Sequence, residues 1–159
     1  MDEPSAKSRP RRSPTAEQLR AWRTFIETAE RVRTVMESRL SEESGLSSGD
    51  YGVLLALSEA PGRRVRSSAL AERIGWERSR LSHHLARMQK RGLIDREECA
   101  TDNRGAEVVL TTLGATTFRR ASAPHLRAIQ EVFVDALTVE QLDRLEDAVA
   151  ALGAHLEFS

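Results

Sequence analysis

The chain has 159 residues, of which 40% are apolar and 4% aromatic, and its formal net charge at pH 7 is zero. This length suffices for one domain with a core, and the modest apolar content favours a helical chain that completes its core with a second subunit. No run of 18 apolar residues exists and no apolar segment follows the basic amino-terminal residues, which excludes a transmembrane helix and a signal peptide and favours a cytoplasmic protein without a membrane partner.

The amino-terminal part predicts a tail followed by a long helix. Residues 1–13 are polar, with prolines and arginines, and predict a disordered basic tail ahead of a single domain over residues 14–159. Thr15 and Gln18 have the spacing of a capping box, in which each side chain accepts a hydrogen bond from the other residue's backbone. They predict the start of a helix that ends near Leu40.

A short helix and a strand are predicted next. Ser47 and Asp50 form a second capping box, and the helix that follows is apolar on most sides, which indicates a central position. Pro61 and Gly62 end this helix. The run 64–66 predicts one short strand.

The middle of the chain then predicts two short helices joined by a tight turn. Ser67 or Ser68 is expected to cap a brief helix that ends at Gly75, and a second helix follows over residues 77–91. Two short helices joined by a glycine turn form the helix-turn-helix pattern, whose second helix enters the major groove of DNA.

At 100° per residue, this second helix buries Leu81, Leu85 and Met88 and turns serine, histidine and arginine outward. Such groups can donate to or accept from base edges, and no acidic residue lies between residues 78 and 91 to repel phosphates. A merely solvated surface is the alternative interpretation. The residues predicted to contact DNA from this helix are Ser79, Arg80, Ser82, His83 and Arg87.

A β-hairpin is predicted directly after the helix pair. Two strand-like runs, 93–98 and 108–111, flank a polar tip in which asparagine and glycine supply the turn. Arg104 at this tip suits the minor groove, because its guanidinium is planar and weakly hydrated. Asp102 is expected to brace an arginine such as Arg104; an ordinary surface hairpin with an ion pair is the alternative.

Charge is concentrated in this middle segment. Residues 61–105 contain eleven Lys or Arg and six Asp or Glu, a net charge of 11 − 6 = +5. The remaining residues hold thirteen basic and eighteen acidic side chains, a net charge of −5. The field that attracts phosphates therefore lies on one part of the chain, although helix surfaces carry charge for other reasons too.

The last third of the chain predicts two more helices. The first begins at Thr111 or Thr112 and runs to about Leu137, with Pro124 inside it as a kink or a break. A third capping box, at Thr138, opens a final helix whose apolar residues repeat as a narrow, heptad-like seam.

Other kinds of site find weaker support in the sequence. Cys99 is the only cysteine, so no disulfide forms within the chain, and the neighbouring Glu97 and Glu98 would raise rather than lower the pKa of its thiol. The four histidines lack the spacing of a metal site, so neither a metal nor another cofactor is expected. No catalytic elbow, phosphate loop or carboxylate pair indicates an enzyme.

An effector pocket is a further hypothesis. It would lie between the first two helices and the helix-turn-helix lobe, with Trp22, Arg23 and Tyr51 as candidate lining residues. Trp22 also falls on the apolar stripe of the first helix, so packing in the core is the alternative role for that side chain.

Several segments together carry a resemblance to a known family: Leu70–Gly75, Ser79–Ser82, Arg91–Ile94, and Asp102-x-Arg104 followed by Leu110-Thr111 and Gly114. Over about residues 15–155 the chain resembles the multiple-antibiotic-resistance regulator (MarR) family. The resemblance implies a fold that is mainly α with a small β-hairpin wing. A winged helix-turn-helix lobe at about 47–111 would hang from dimerisation helices at about 15–40 and 112–155.

The resemblance also implies a function. A homodimer would bind pseudo-palindromic double-stranded DNA operators, with the recognition helix in the major groove and Arg104 of the wing in the minor groove. Family members are usually repressors, and a small phenolic or anionic effector often releases them from DNA. Two alternatives stay open, namely a regulator that responds to redox change through Cys99 and a non-specific architectural DNA-binding protein.

Overall fold

The computed structural model describes residues 13–98 and 106–157, and the side chain of Glu98 is outside the description. Most of these residues are helical, as predicted, and three short strands form one small sheet. Two 3₁₀ turns lie at Pro61–Arg63 and Val134–Ala136. The helices and strands are α1 (Ala16–Ser44), α2 (Ser48–Glu59), β1 (Arg64–Arg66), α3 (Ser67–Ile74), α4 (Arg78–Lys90), β2 (Ile94–Glu98), β3 (Ala106–Leu110), α5 (Thr112–Val132) and α6 (Val139–Glu157).

Three helices begin at the capping boxes that the sequence predicts. The Thr15 hydroxyl accepts from the backbone of Gln18, and the Gln18 side chain accepts from the backbone of Thr15. Ser47 and Asp50 make the same reciprocal pair at the start of α2, and Thr138 takes part in a third at the start of α6. Each box satisfies two backbone donors that a helix start leaves unpaired.

The end of α1 and the start of α3 differ from prediction. Helix α1 continues about one turn past Leu40 and ends at Gly45, whose φ of 68° suits glycine. The predicted serine cap of α3 is wrong, because Arg66 occupies the N-cap position and makes no side-chain capping bond. The Ser67 hydroxyl instead donates to the carbonyl of Ala106 at 3.0 Å, which ties α3 to the sheet.

The sheet has the order β1-β3-β2. β2 and β3 pair antiparallel from Ile94 opposite Leu110 to Glu98 opposite Ala106, which confirms the two predicted hairpin strands. β1 pairs with the other side of β3, so the predicted short strand is confirmed and its partner is now known. The hairpin tip that the sequence predicts lies outside the described residues.

The hydrophobic core lies in the helix-turn-helix lobe. α2 contributes Leu54 and Leu57, α4 contributes Leu81, Leu85 and Met88, and each of these side chains is at most 1% exposed. The three α4 residues confirm the predicted buried stripe. Burying one such side chain stabilises the fold by roughly 1.5–3 kcal/mol, so this cluster holds α4 on the core of the lobe.

Helices α1, α5 and α6 form a helical arm. α5 packs along α1 and contains Pro124 without ending there, but it stops at Val132, before the predicted end near Leu137. Within the described part of α6, no residue is buried. No helix among the described residues is long and apolar enough to cross a membrane. Large apolar side chains are exposed on the arm, namely Leu19, Trp22, Phe25, Ile26, Val35, Leu126, Phe133, Val139, Val149, Leu152 and Leu156.

Candidate nucleic-acid interface

Helix α4 is the centre of the candidate interface. Its buried stripe faces the core, and its opposite side faces solvent. All five helix residues that the sequence assigns to DNA contact are exposed. They are Ser79, Arg80, Ser82, His83 and Arg87. The described structure therefore brings these predicted residues together on one solvent-facing surface of one helix.

The turn before α4 sets the direction of the helix. Gly75 has a φ of 67°, and its backbone N–H donates to carbonyls of α3, which ends that helix. The backbone N–H of Trp76 donates to the carbonyl of Ala71 at 2.9 Å, so the chain folds back across the end of α3. Glu77 then takes the N-cap position of α4. This geometry is the tight glycine turn that the helix-turn-helix prediction required.

The Trp76 indole lies between α2 and α4. Its ring meets the His84 ring edge-on, with centroids 5.0 Å apart and planes at 87°. The guanidinium carbon of Arg80 lies 4.1 Å from the indole centroid, a cation–π geometry. A Cβ on Gly49 would lie 2.6 Å from the tip of the indole, so only glycine leaves room for it. Sequence reasoning missed Trp76, although an aromatic residue four positions before an arginine was a signal.

A buried carboxylate lies behind α4. Asp50 is 3% exposed, and one of its oxygens accepts from the backbone of Ser47 at 3.0 Å and from Nη1 of Arg91 at 2.7 Å. Nη2 of Arg91 donates to the carbonyl of Gly45 at 3.0 Å. The end of α4 is thereby attached to the start of α2 and to the turn between α1 and α2.

His84 extends this network to the exposed face of α4. Its Nε2 lies 3.0 Å from the second oxygen of Asp50, within ion-pair distance although not aligned for a hydrogen bond. Nη2 of Arg87 lies 3.1 Å from Nδ1 of His84. Because arginine only donates, Nδ1 must accept, and the proton of the neutral ring is on Nε2, facing Asp50.

The surroundings shift the pKa of both titrating groups. Burial lowers the pKa of His84, and the positive charges of Arg87 and Arg91 act in the same direction, against the opposing pull of Asp50. Burial alone would raise the pKa of Asp50, but the hydrogen bonds from Ser47 and Arg91, with the positive charge of Arg91, leave it lowered. At neutral pH the network therefore holds an ionised Asp50 and a neutral His84.

A polar cavity of 530 Å³ opens beside this network. It lies where the end of α1, the start of α2 and the inner flank of α4 meet. Its lining includes Glu37, Ser41, Ser48, Asp50, His84, Arg87 and Arg91. Arg87, which the sequence assigns to DNA contact, therefore also lines this cavity.

The residues predicted to line an effector pocket lie on two helices, Trp22 and Arg23 on α1 and Tyr51 on α2. Trp22 is 60% exposed and Arg23 is exposed on α1, so the alternative of Trp22 in the core is wrong for the single chain. Tyr51 is half-buried, with its ring centroid 5.1 Å from that of Phe118 and 4.4 Å from that of His125. None of the three lines the polar cavity, and none lines the apolar groove on the helical arm that Phe25, Phe133 and Leu145 border.

Three further predictions lie outside the described residues: Cys99, Asp102 and Arg104. Within residues 13–98 and 106–157, no group of three or more His, Cys, Asp or Glu side chains is arranged to hold a metal ion.

Comparison with known proteins finds similarity to transcriptional regulators from bacteria. A model of the MarR family matches residues 44–105. The transcriptional regulator HosA of Escherichia coli is 33% identical over 96 residues, which span 60% of this chain and 69% of HosA.

Two solved structures from Streptomyces coelicolor are similar over almost the whole chain. AbsC, a MarR family transcriptional regulator, is 35% identical with a TM-score of 0.86, over 93% of this chain and 99% of AbsC. Sco3205, another MarR family transcriptional regulator, was solved in complex with DNA; it is 36% identical with a TM-score of 0.87, over 91% of each chain.

Proposed function

Since this chain belongs to the MarR family of transcriptional regulators, we propose that it binds specific double-stranded DNA as a homodimer, with α4 of each protomer in the major groove. The observation that carries this proposal is the exposed polar face of α4, held on the core by a fully buried stripe. Its serine, histidine and arginine side chains can read base edges, and α4 contains no carboxylate to repel the phosphates. Sco3205, which was solved on DNA, shares the fold and about a third of the sequence.

The homodimer is supported by the exposed apolar surface of the helical arm. α1 and α6 expose large aromatic and aliphatic side chains, more than a soluble monomer would leave in water. An apolar groove of 490 Å³ between these helices offers a second copy a place to dock. Its lining includes Phe25, Ala29, Val32, Phe133 and Leu145. We propose that residues 15–40 and 112–155 form the dimer arm and that the lobe at 47–111 hangs from it, within a single domain over 14–159.

The wing completes the proposed contact. β2 and β3 are paired as far as Glu98 opposite Ala106, next to the segment that holds Arg104. In this proposal Arg104 enters the minor groove and Asp102 braces it. A bound dimer occupies an operator that RNA polymerase would otherwise use, so repression is the proposed sign of regulation.

The polar cavity favours an effector as well. Arg87 supplies guanidinium donors to it and Arg91, whose Nη atoms donate to Asp50 and Gly45, adds positive charge; guanidinium donors are a common way for proteins to hold carboxylates. Arg87 belongs both to the DNA face and to the cavity. A small anion in the cavity would draw Arg87 away from DNA, so this cavity, rather than a pocket at Trp22, Arg23 and Tyr51, is the better supported place for an anionic or phenolic effector.

Fluorescence anisotropy tests the proposed function. The purified protein is titrated against a labelled duplex from its own upstream intergenic region and against a scrambled duplex, at two salt concentrations. The proposal predicts tight, saturable binding to the upstream duplex, well above the scrambled one at both salt concentrations. Equal and steeply salt-dependent binding to both would show only phosphate attraction and would favour an architectural role.

A further inference from the structure

At the start of α4, the Arg80 guanidinium makes a cation–π contact with the Trp76 ring, which affects how Arg80 can meet DNA. We propose that Trp76 is a positioning residue that presents the in-plane N–H donors of Arg80 to a guanine in the major groove. This inference rests on the proposed DNA binding and adds the base class that one arginine reads and the residue that aims it.

The indole is itself firmly placed. The N–H of the Trp76 backbone is bound to Ala71 in α3, and the ring stands edge-on against the buried His84. Gly49 of α2 lets the tip of the ring approach more closely than any other residue would allow. Contacts to three helices therefore hold the ring on which Arg80 rests.

Arg80 is held by the face of its guanidinium. The guanidinium carbon lies 4.1 Å above the indole centroid, and none of the ion pairs among the described residues involves Arg80. Stacking uses the face of the group and leaves its N–H donors free at the edge. The side chain has thus lost much of its rotamer freedom before DNA arrives, while its donors remain available.

This arrangement suits guanine better than phosphate. Arg80 lies in the first turn of α4, and recognition helices contact base edges with their amino-terminal residues. An arginine fork pairs with O6 and N7 of guanine through two parallel hydrogen bonds, which demand a fixed plane. A phosphate contact needs mainly the charge, for which an oriented guanidinium is unnecessary.

The first experiment is a selection from a randomised duplex library, sequenced after binding to the wild type and to four variants. We expect the wild type to enrich guanine at one position of each half-site. Arg80→Ala, Arg80→Lys and Trp76→Leu should each lower that guanine preference by about 10-fold, whereas Trp76→Phe, which keeps an aromatic face, should retain most of it. Affinity of Trp76→Leu for a scrambled duplex should stay within about two-fold of the wild type, because its charge is unchanged.

The outcomes separate this inference from the proposed function. If the wild type enriches no sequence, specific DNA reading fails and the inference fails with it. If Arg80→Ala loses the guanine preference while a folded Trp76→Leu keeps it, Arg80 reads the base without help and only the role of Trp76 is overturned. If Arg80→Ala still enriches the guanine that the wild type enriches, another residue reads that base and its assignment to Arg80 is overturned.

A second measurement covers the case in which circular dichroism shows Trp76→Leu to be unfolded. The chain has two tryptophans, so Trp22→Phe leaves Trp76 as the only one. In that background Arg80→Ala should shift the emission maximum of the free protein, because it removes the cation above the ring. Arg78→Ala, which removes a neighbouring arginine of the same helical turn, should leave the emission unchanged. Identical emission in both variants would contradict the contact on which the proposal depends.

Discussion

Asp50 of α2 and Arg91 at the end of α4 form an ion pair of 2.7 Å, although they are 41 residues apart in the chain. The same carboxylate completes the capping box that opens α2. One buried side chain thus accepts a capping hydrogen bond from the backbone at the start of one helix and forms an ion pair with the end of the helix that we propose to read DNA. The orientation of α4 on the lobe therefore depends on an electrostatic contact as well as on apolar packing.

Asp50→Asn should destabilise the fold by about 2 kcal/mol, because Arg91 and His84 lose the charge that they face while the amide keeps the shape of the carboxylate. Urea unfolding followed by circular dichroism measures this loss. Glu131→Gln is the matched control, since it breaks the ion pair with Arg39 between exposed side chains and should cost less than about 1 kcal/mol. Equal losses in the two variants would contradict the anchoring role of Asp50.

Stability should fall as pH is lowered from about 7 to 5. The pKa of His84 is lowered in the folded chain, whereas histidines of the unfolded chain have a pKa of about 6.5. As the pH falls, the unfolded chain therefore takes up protons first, and unfolding is favoured. Burial lowers the pKa of His125 in the same direction. Asp50, whose pKa is lowered, adds stability that is lost only at more acidic pH, as the pH falls through the pKa that Asp50 has in the folded chain. Urea unfolding at a series of pH values gives the slope.

His84→Gln and His125→Asn separate the two histidine contributions. Each substitution should flatten the decline between pH 7 and 5, and the double variant should remove most of it. A decline of the same steepness in the double variant would mean that other groups cause it.

Gly49→Ala should destabilise the fold by about 1–3 kcal/mol, because its Cβ would lie 2.6 Å from the Trp76 ring and 3.0 Å from the His84 ring. Gly52→Ala lies in the same helix with open space around it and should be neutral or stabilising by up to about 1 kcal/mol. Thermal unfolding of the two variants makes the comparison. A tolerated Gly49→Ala would show that the indole is free to move.

His83→Ala and Arg87→Ala should each weaken binding to the selected DNA site by about 1–3 kcal/mol and weaken binding to scrambled DNA much less. Both side chains are exposed on α4, and neither forms part of the apolar core. Anisotropy titrations on the two duplexes give the difference. Equal losses on both duplexes would assign these residues to phosphates alone.

Removal of the residues after about 136 should abolish the dimer, because α6 then no longer contributes its exposed apolar side chains. Analytical ultracentrifugation of the shortened and full-length chains tests this, with circular dichroism to check that helices α1–α5 persist. A shortened chain that stays dimeric would show that α6 lies outside the interface.

Much of the fold follows from local patterns. Thr15, Ser47 and Thr138 mark helix starts because a capping box involves only neighbouring residues, and the stripe of Leu81, Leu85 and Met88 follows from helical periodicity. The burial of His84 could also have been predicted, since this residue lies one helical turn after Leu81, on the buried side.

The contacts between distant residues could not be predicted in this way. Nothing local to Asp50 indicates that Arg91 will pair with it, and the partner of the Trp76 ring depends on how α2 crosses α4. For Trp22 the helical period was correct, but periodicity does not say whether the apolar face meets the same chain or a second copy.

The most direct test of the account is a nuclease footprint of the protein on its upstream intergenic DNA. A dimer that places two copies of α4 in successive major grooves should protect two half-sites related by a two-fold axis. Their centres should be about one helical turn, or about 10–10.5 base pairs, apart or a multiple of it. A single protected half-site, or protection without two-fold symmetry, would contradict the proposal that a homodimer reads the operator through α4.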